Sequence, residues 1–108
     1  MATSYKVLGQ AAPSATTDTT VYTVPSATEA VISTIVVTNR GASATFKIAV
    51  RPAGAALEDK HYIAWNVPLD PDDSATLSLG ITLATTDLIS VNFSTADLSV
   101  NIFGSEIS

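Results

Sequence analysis

The sequence predicts an all-β fold: one antiparallel β-sandwich of about eight strands, jelly-roll or immunoglobulin-like. Three observations carry this. Apolar residues alternate with period two along most of the chain. No segment of useful length shows the 3.6-residue period of a helix. Turn-forming clusters interrupt the alternation at short, even intervals, the spacing of sandwich proteins.

Near the N-terminus, "YKVLGQ" and "TVYTV" are short strand candidates. "QAAPSATTDTT" lies between them as a loose, polar stretch, and residues 1–20 form a candidate N-terminal arm able to add a strand to a neighbour. "AVISTIVVTN" is apolar on both faces, as a central strand is. In "ATFKIAVR", Phe46, Ile48 and Val50 face one way, and Thr45, Lys47, Ala49 and Arg51 the other. In "HYIAWNV", His61, Ile63, Trp65 and Val67 share a face opposite Tyr62, Ala64 and Asn66, which makes Trp65 an inward anchor. "ATLSLGI" reads as one strand through Leu77, Leu79 and Ile81. "DLISVNFS" alternates through Ile89, Val91 and Phe93, and "DLSVNIFG" through Leu98, Val100 and Ile102. Between them lie "PSATE", "NRGAS", "RPAGAALEDK", "PLDPDDS", "LATTD" and "STAD", rich in turn-forming residues. The antibody pattern of paired cysteines about a tryptophan is absent, so an immunoglobulin-like reading rests on strand count alone.

Composition narrows the function classes. At 108 residues the chain is one domain, 1–108, with one core and no room for a deep cleft. It has no cysteine, which excludes disulfides and thiolate–metal sites. The first ten residues lack the apolar core of a signal peptide, and no run approaches the roughly 20 apolar residues of a membrane helix. Net charge is −5 and the five basic residues are scattered, so a nucleic-acid footprint is not expected. Charged residues are only 14% of the chain, against roughly 25% in ordinary domains. A surface built of Ser, Thr and Ala is cheap to desolvate, and part of it is expected to be buried against other subunits.

The chemically richest stretch is "RPAGAALEDKHYIAWNV", with the only histidine and the only tryptophan. Catalysis by a nucleophile needs a base beside it and a group orienting that base. His61 can be paired on paper with many serines, and no Gly-x-Ser-x-Gly elbow is present. Glu58, Asp59 and His61 fit a catalytic zinc site poorly, because such sites usually take three ligands, mostly histidines. Asp70, Asp72 and Asp73 in "DPDDS" read as Asx-turns, with weak calcium binding as the alternative. A glycosidase or carbohydrate-binding module needs a row of aromatic rings, and regular alternation puts Tyr62 and Trp65 on opposite faces. No enzyme, cofactor or metal is therefore expected. The loop itself is the candidate contact surface: Ala53, Ala55, Ala56 and Leu57 are too apolar for a purely solvated loop, and Glu58, Asp59 and Lys60 could set its register on a partner.

The segments "YTVPSATEAVIST", "VVTNRG", "FKIAVRPAGAALEDKHYIAW" and "LSLGITLATTDLISV" resemble small β-sandwich virion proteins of tailed bacteriophages, the capsid decoration (cement) and tail-associated proteins. The resemblance runs from about Tyr22 to Phe103 and carries no site residue. It implies a homo-oligomer, often a trimer in such decoration proteins. It also implies a place in the virion after assembly in the host cytoplasm, and the major capsid protein or another virion protein as partner. A tail, collar or baseplate component is the alternative within the same virion, and a carbohydrate-binding module the alternative outside it. Neither nucleic acid nor membrane is an expected partner.

Overall fold

A computed structural model describes residues 2–108. They form nine strands: β1 (Thr3–Ala11), β2 (Thr19–Thr23), β3 (Glu29–Asn39), β4 (Ala44–Arg51), β5 (Tyr62–Leu69), β6 (Ser74–Leu77), β7 (Ile81–Leu83), β8 (Leu88–Phe93) and β9 (Leu98–Ile107). One sheet runs β1-β9-β3-β6, with β7 following β6 along the same edge of β3, and the other runs β2-β8-β4-β5. All pairings are antiparallel. With β6 and β7 counted as one interrupted strand, this is the jelly-roll order, in which consecutive strands mostly alternate between two facing sheets. Of the two sandwich types the sequence allowed, the topology is therefore the jelly roll.

The interruption sits in "ATLSLGI", expected as a single strand. Gly80 takes φ +63 and breaks the ladder, and Leu79 turns out to solvent at 55% exposure. The expected arm is partly a strand of this chain's own sheet. Thr3–Ala11 pairs with β9, and the backbone N–H groups of Ala2 and Ser108 each donate to the other's carbonyl, at 2.7 and 2.8 Å.

The core forms where the inner faces meet. β3 contributes Ile32, Ile35 and Val37, and β9 contributes Leu98, Val100 and Ile102. From the other sheet come Phe46 and Ile48 of β4 and Ile89, Val91 and Phe93 of β8. All are under 2% exposed, so the alternation of β4, β8 and β9 reads correctly from sequence, whereas β3, expected apolar on both faces, buries Ile32 and then Ile35 and Val37 beyond a break in its alternation. Bulges at Leu8 of β1 and Ser33 of β3 oppose the two successive steps of β9 on either side of Phe103, Ile102–Phe103 and Phe103–Gly104. Gly104 belongs there because a Cβ would strike the Val31 carbonyl.

Asn39 fixes the end of β3. It is buried, and its side-chain amide donates to the carbonyls of Ala42, Leu69 and Asp70 while its oxygen accepts from the Gly41 N–H. It thereby ties the β3–β4 turn to the end of β5. In the "DPDDS" turn, the Asp73 carboxylate accepts from the Ser74 N–H, and Asp72 takes φ +58. Among the described residues no three His, Cys, Asp or Glu side chains group to hold a metal, and no helix is long and apolar enough to cross a membrane.

Candidate binding surface around Trp65

β5 departs from the expected alternation, and this creates the most distinctive surface of the molecule. Ala49 pairs with Tyr62, Ile48 with Ala64, and Phe46 with Val67. One residue of β4 is thus spanned by two of β5 at Ile63, and two by three at Trp65–Asn66. Asn66 takes φ +48, the left-handed region that asparagine tolerates better than most residues. Each extra residue inverts the facing of the residues after it. Ala64 and Val67 therefore turn toward the core, whereas Tyr62 and Trp65 both lie on the outer face.

The expectation of Trp65 as an inward anchor is corrected: it is 56% exposed. The expected common face of His61, Ile63, Trp65 and Val67 is corrected with it. His61 precedes the strand in a single 3-10 turn (Asp59–His61), and Ile63 is 38% exposed at the sandwich margin. Tyr62 and Trp65, expected on opposite faces, touch. Their ring centres are 4.6 Å apart at 80°. The Lys47 ammonium lies 4.3 Å from the centre of the Trp65 ring, a cation–π contact. Lys47 reaches it because β4 alternates regularly and presents Lys47 outward between Phe46 and Ile48.

The β4–β5 loop borders this cluster. Its first part is a tight 3-10 turn, Pro52–Gly54, in which Ala53 takes φ +53. The Ala53 N–H donates to the Asp87 carboxylate at 2.8 Å, and the Arg51 Nε donates to the Ala55 carbonyl at 2.7 Å. The second turn is closed by His61, whose Nδ1 accepts the Glu58 N–H at 3.0 Å while its backbone N–H donates to the Glu58 carbonyl. His61 is thus a buried capping residue of the loop.

The loop residues singled out from sequence divide into three groups. Ala53 and Ala56 are exposed, and Leu57 is half-buried. Ala55, Glu58 and Lys60 line a recess with Val50, Pro52, His61 and Ile63. Asp59 alone joins the aromatic pair, lining with Tyr62 and Trp65 an open recess of about 390 Å³. The Lys60–Glu58 ion pair is long, 4.0 Å, and exposed, so it contributes little rigidity.

No family model, curated protein or solved structure matches this chain.

Electrostatics gives the aromatic recess a mixed character. Desolvation, then the negative charges of Asp18 and Asp59, hold the Tyr62 phenol above its ordinary value of 10.0. Lys47 supplies the opposing charge at the Trp65 ring. Asp18 is fixed by the Asn92 amide, which donates to it at 2.8 Å from the neighbouring strand β8. The surface thus offers two amphipathic rings, two carboxylates and an ammonium, with no nucleophile–base pair among them. A larger recess of about 640 Å³ lies between Thr28, Thr85 and Ile107, and among the described residues Glu29 is the one acidic or basic side chain lining it.

Sequence reasoning missed Trp65 as a surface residue. The available signal was "WNVP": an asparagine suited to a left-handed bulge, then Pro68, which sits in edge strands because it cannot donate to a ladder.

Proposed function

We propose that this chain is a non-enzymatic assembly module, a tailed-phage virion protein that docks on the assembled head through the Trp65 surface and the adjoining β4–β5 loop. The observation that carries the reading is Trp65, more than half exposed and held in place by Lys47 and Tyr62. Tryptophan and tyrosine dominate the energetics of protein interfaces, because a rigid ring buries much area at little entropic cost. Asp59, Glu58 and Lys60 at the rim would set orientation and on-rate more than affinity. The resemblance to decoration proteins supports the choice of partner, the major capsid lattice. The jelly roll is compatible with it, since viral capsid domains use that fold, but lectins use it too and fold alone does not assign function. A cement protein that binds only the assembled lattice stabilises it by mass action.

The test is to purify virions of the phage encoding the chain, image them, and strip and rebuild the heads. Density for the protein on the head, with rebinding lost on Trp65→Ala, is the expected result. Density on the tail would favour a tail, collar or baseplate role, and absence from the virion would end the reading.

One observation favours a second reading, a carbohydrate-binding module: Tyr62 and Trp65 share a face beside a carboxylate. Against it, the rings stand nearly perpendicular and an ammonium lies over Trp65, so they do not form a flat platform for a sugar. A glycan-array screen separates the two, because saccharide binding abolished by Trp65→Ala would replace the assembly reading.

A further inference from the structure

The two broad faces of the sandwich differ in charge. The outer face of the β2-β8-β4-β5 sheet presents Lys47 and Arg51, with Asp18 beside Asn92 at its margin. The other sheet's outer face is built by alternation from β1, β9, β3, β6 and β7. On β1 it carries Tyr5 and Val7, which point away from Lys6, the partner of the inward Glu106. On β9 it carries Phe103, opposite in facing to the buried Ile102. On β3 it carries Val31 and Val36, partly buried between their neighbours. At its end β9 adds Ile107, the remaining positions are Thr, Ser, Asn and Gln, and β6 and β7 add only Ser74, Thr76 and Thr82. Among the described residues, Glu29, at the very end of β3, is the one side chain of the face that is charged at neutral pH.

Tyr5 is 85% exposed, Val7 48% and Phe103 37%, and Val7 and Phe103 are directly paired across the strands. An apolar stripe thus crosses two neighbouring strands on a face with one peripheral charge. That is unusual for an antiparallel sheet facing water, whose outer positions are ordinarily polar.

We propose that this face packs against the same face of a second copy of the chain, sheet on sheet, in an isologous dimer. Three observations select a second copy as occupant. The chain carries net charge −5, so two copies repel least where the contact itself bears little charge, and this face carries only Glu29 at its edge. An isologous contact sets each patch against itself, and an apolar, uncharged patch is self-complementary. The body measures 44 × 27 × 20 Å, so either broad face is large enough to supply the roughly 800 Å² per partner of a standard interface. The arrangement leaves the Trp65 surface free on the opposite side of each copy.

Sedimentation of the full chain over a range of concentrations tests this. The expected species has about twice the 11.1 kDa chain mass. Tyr5→Lys with Val7→Lys, which sets like charges against each other across the contact, should yield the monomer with an unchanged circular dichroism spectrum. Tyr5→Lys alone, at a position too exposed to matter for folding, should weaken dimerisation at least tenfold. Trp65→Ala should leave the dimer intact, which keeps this inference separate from the docking reading. A strict monomer, a trimer, or a dimer indifferent to the lysines would overturn the proposal.

Discussion

The Tyr22 hydroxyl donates to the Glu106 carboxylate at 2.6 Å, joining β2 of one sheet to β9 of the other. The other Glu106 oxygen lies 2.6 Å from the Lys6 ammonium on β1. Lys6 first, then Tyr22, hold the Glu106 carboxyl below its ordinary value of 4.5. A carboxyl lowered in the folded state adds stability that is present above its unfolded value and is lost as pH falls through the folded one. Burial, then Glu106, push the Tyr22 phenol upward from 10.0. A raised group adds stability that is complete below its unfolded value and declines as pH rises beyond it. The urea midpoint should therefore hold steady through neutrality, fall below about pH 4.5 and fall again above about pH 10. Glu106→Gln should flatten the acid limb, and a midpoint profile unchanged by that substitution would refute the linkage.

Trp65→Ala should cost no more than about 1 kcal/mol of stability, the loss of a surface cation–π and an edge contact. Phe46→Ala, at a site 1% exposed, should cost about 3–5 kcal/mol. Chemical unfolding of the two variants side by side measures the contrast.

Asn66→Gly should be tolerated, because glycine accepts the left-handed backbone. Asn66→Val should cost about 1–2 kcal/mol and disturb the facing of Trp65. The fluorescence of the sole tryptophan reports the second effect directly, and an emission spectrum unaltered by valine would mean that the bulge does not position the ring.

Asn39→Ala should destabilise by about 2–3 kcal/mol, since it strips a shared donor from three carbonyls and an acceptor from the Gly41 N–H. Asn39→Asp should be no milder, because a carboxylate would face those carbonyls. Equilibrium denaturation with an unchanged m-value is the measurement.

The fold was legible because β4, β8 and β9 alternate regularly through the core and β3, apolar on both faces, reads as a central strand, although nothing in its sequence announces the bulge at Ser33 that shifts its inward set from Ile32 to Ile35. "ATLSLGI" misled because alternation continues through Leu79 although Gly80 breaks the ladder there. β5 misled for a sharper reason. Two inserted residues within six positions inverted the facing twice, so the alternation that placed Phe46 correctly misplaced Trp65. The β4–β5 loop was expected to act as a contact surface, and of the residues named there only Asp59 lines the recess of the aromatic pair. The Tyr22–Glu106 bond spans 84 residues, and nothing local in either strand announces it.

The pairing of Ala2 with Ser108, continued by Thr3 opposite Ile107, has a mechanical consequence. Ala2 and Ser108 thus lie side by side at one corner of the sandwich. A load pulling the two ends apart therefore meets the β1–β9 ladder end-on and opens it rung by rung, like a zipper, instead of shearing all its rungs at once. Forces applied through flexible tethers at both ends would find the molecule weak, whereas forces entering through its broad faces would press on close-packed layers and find it stiff.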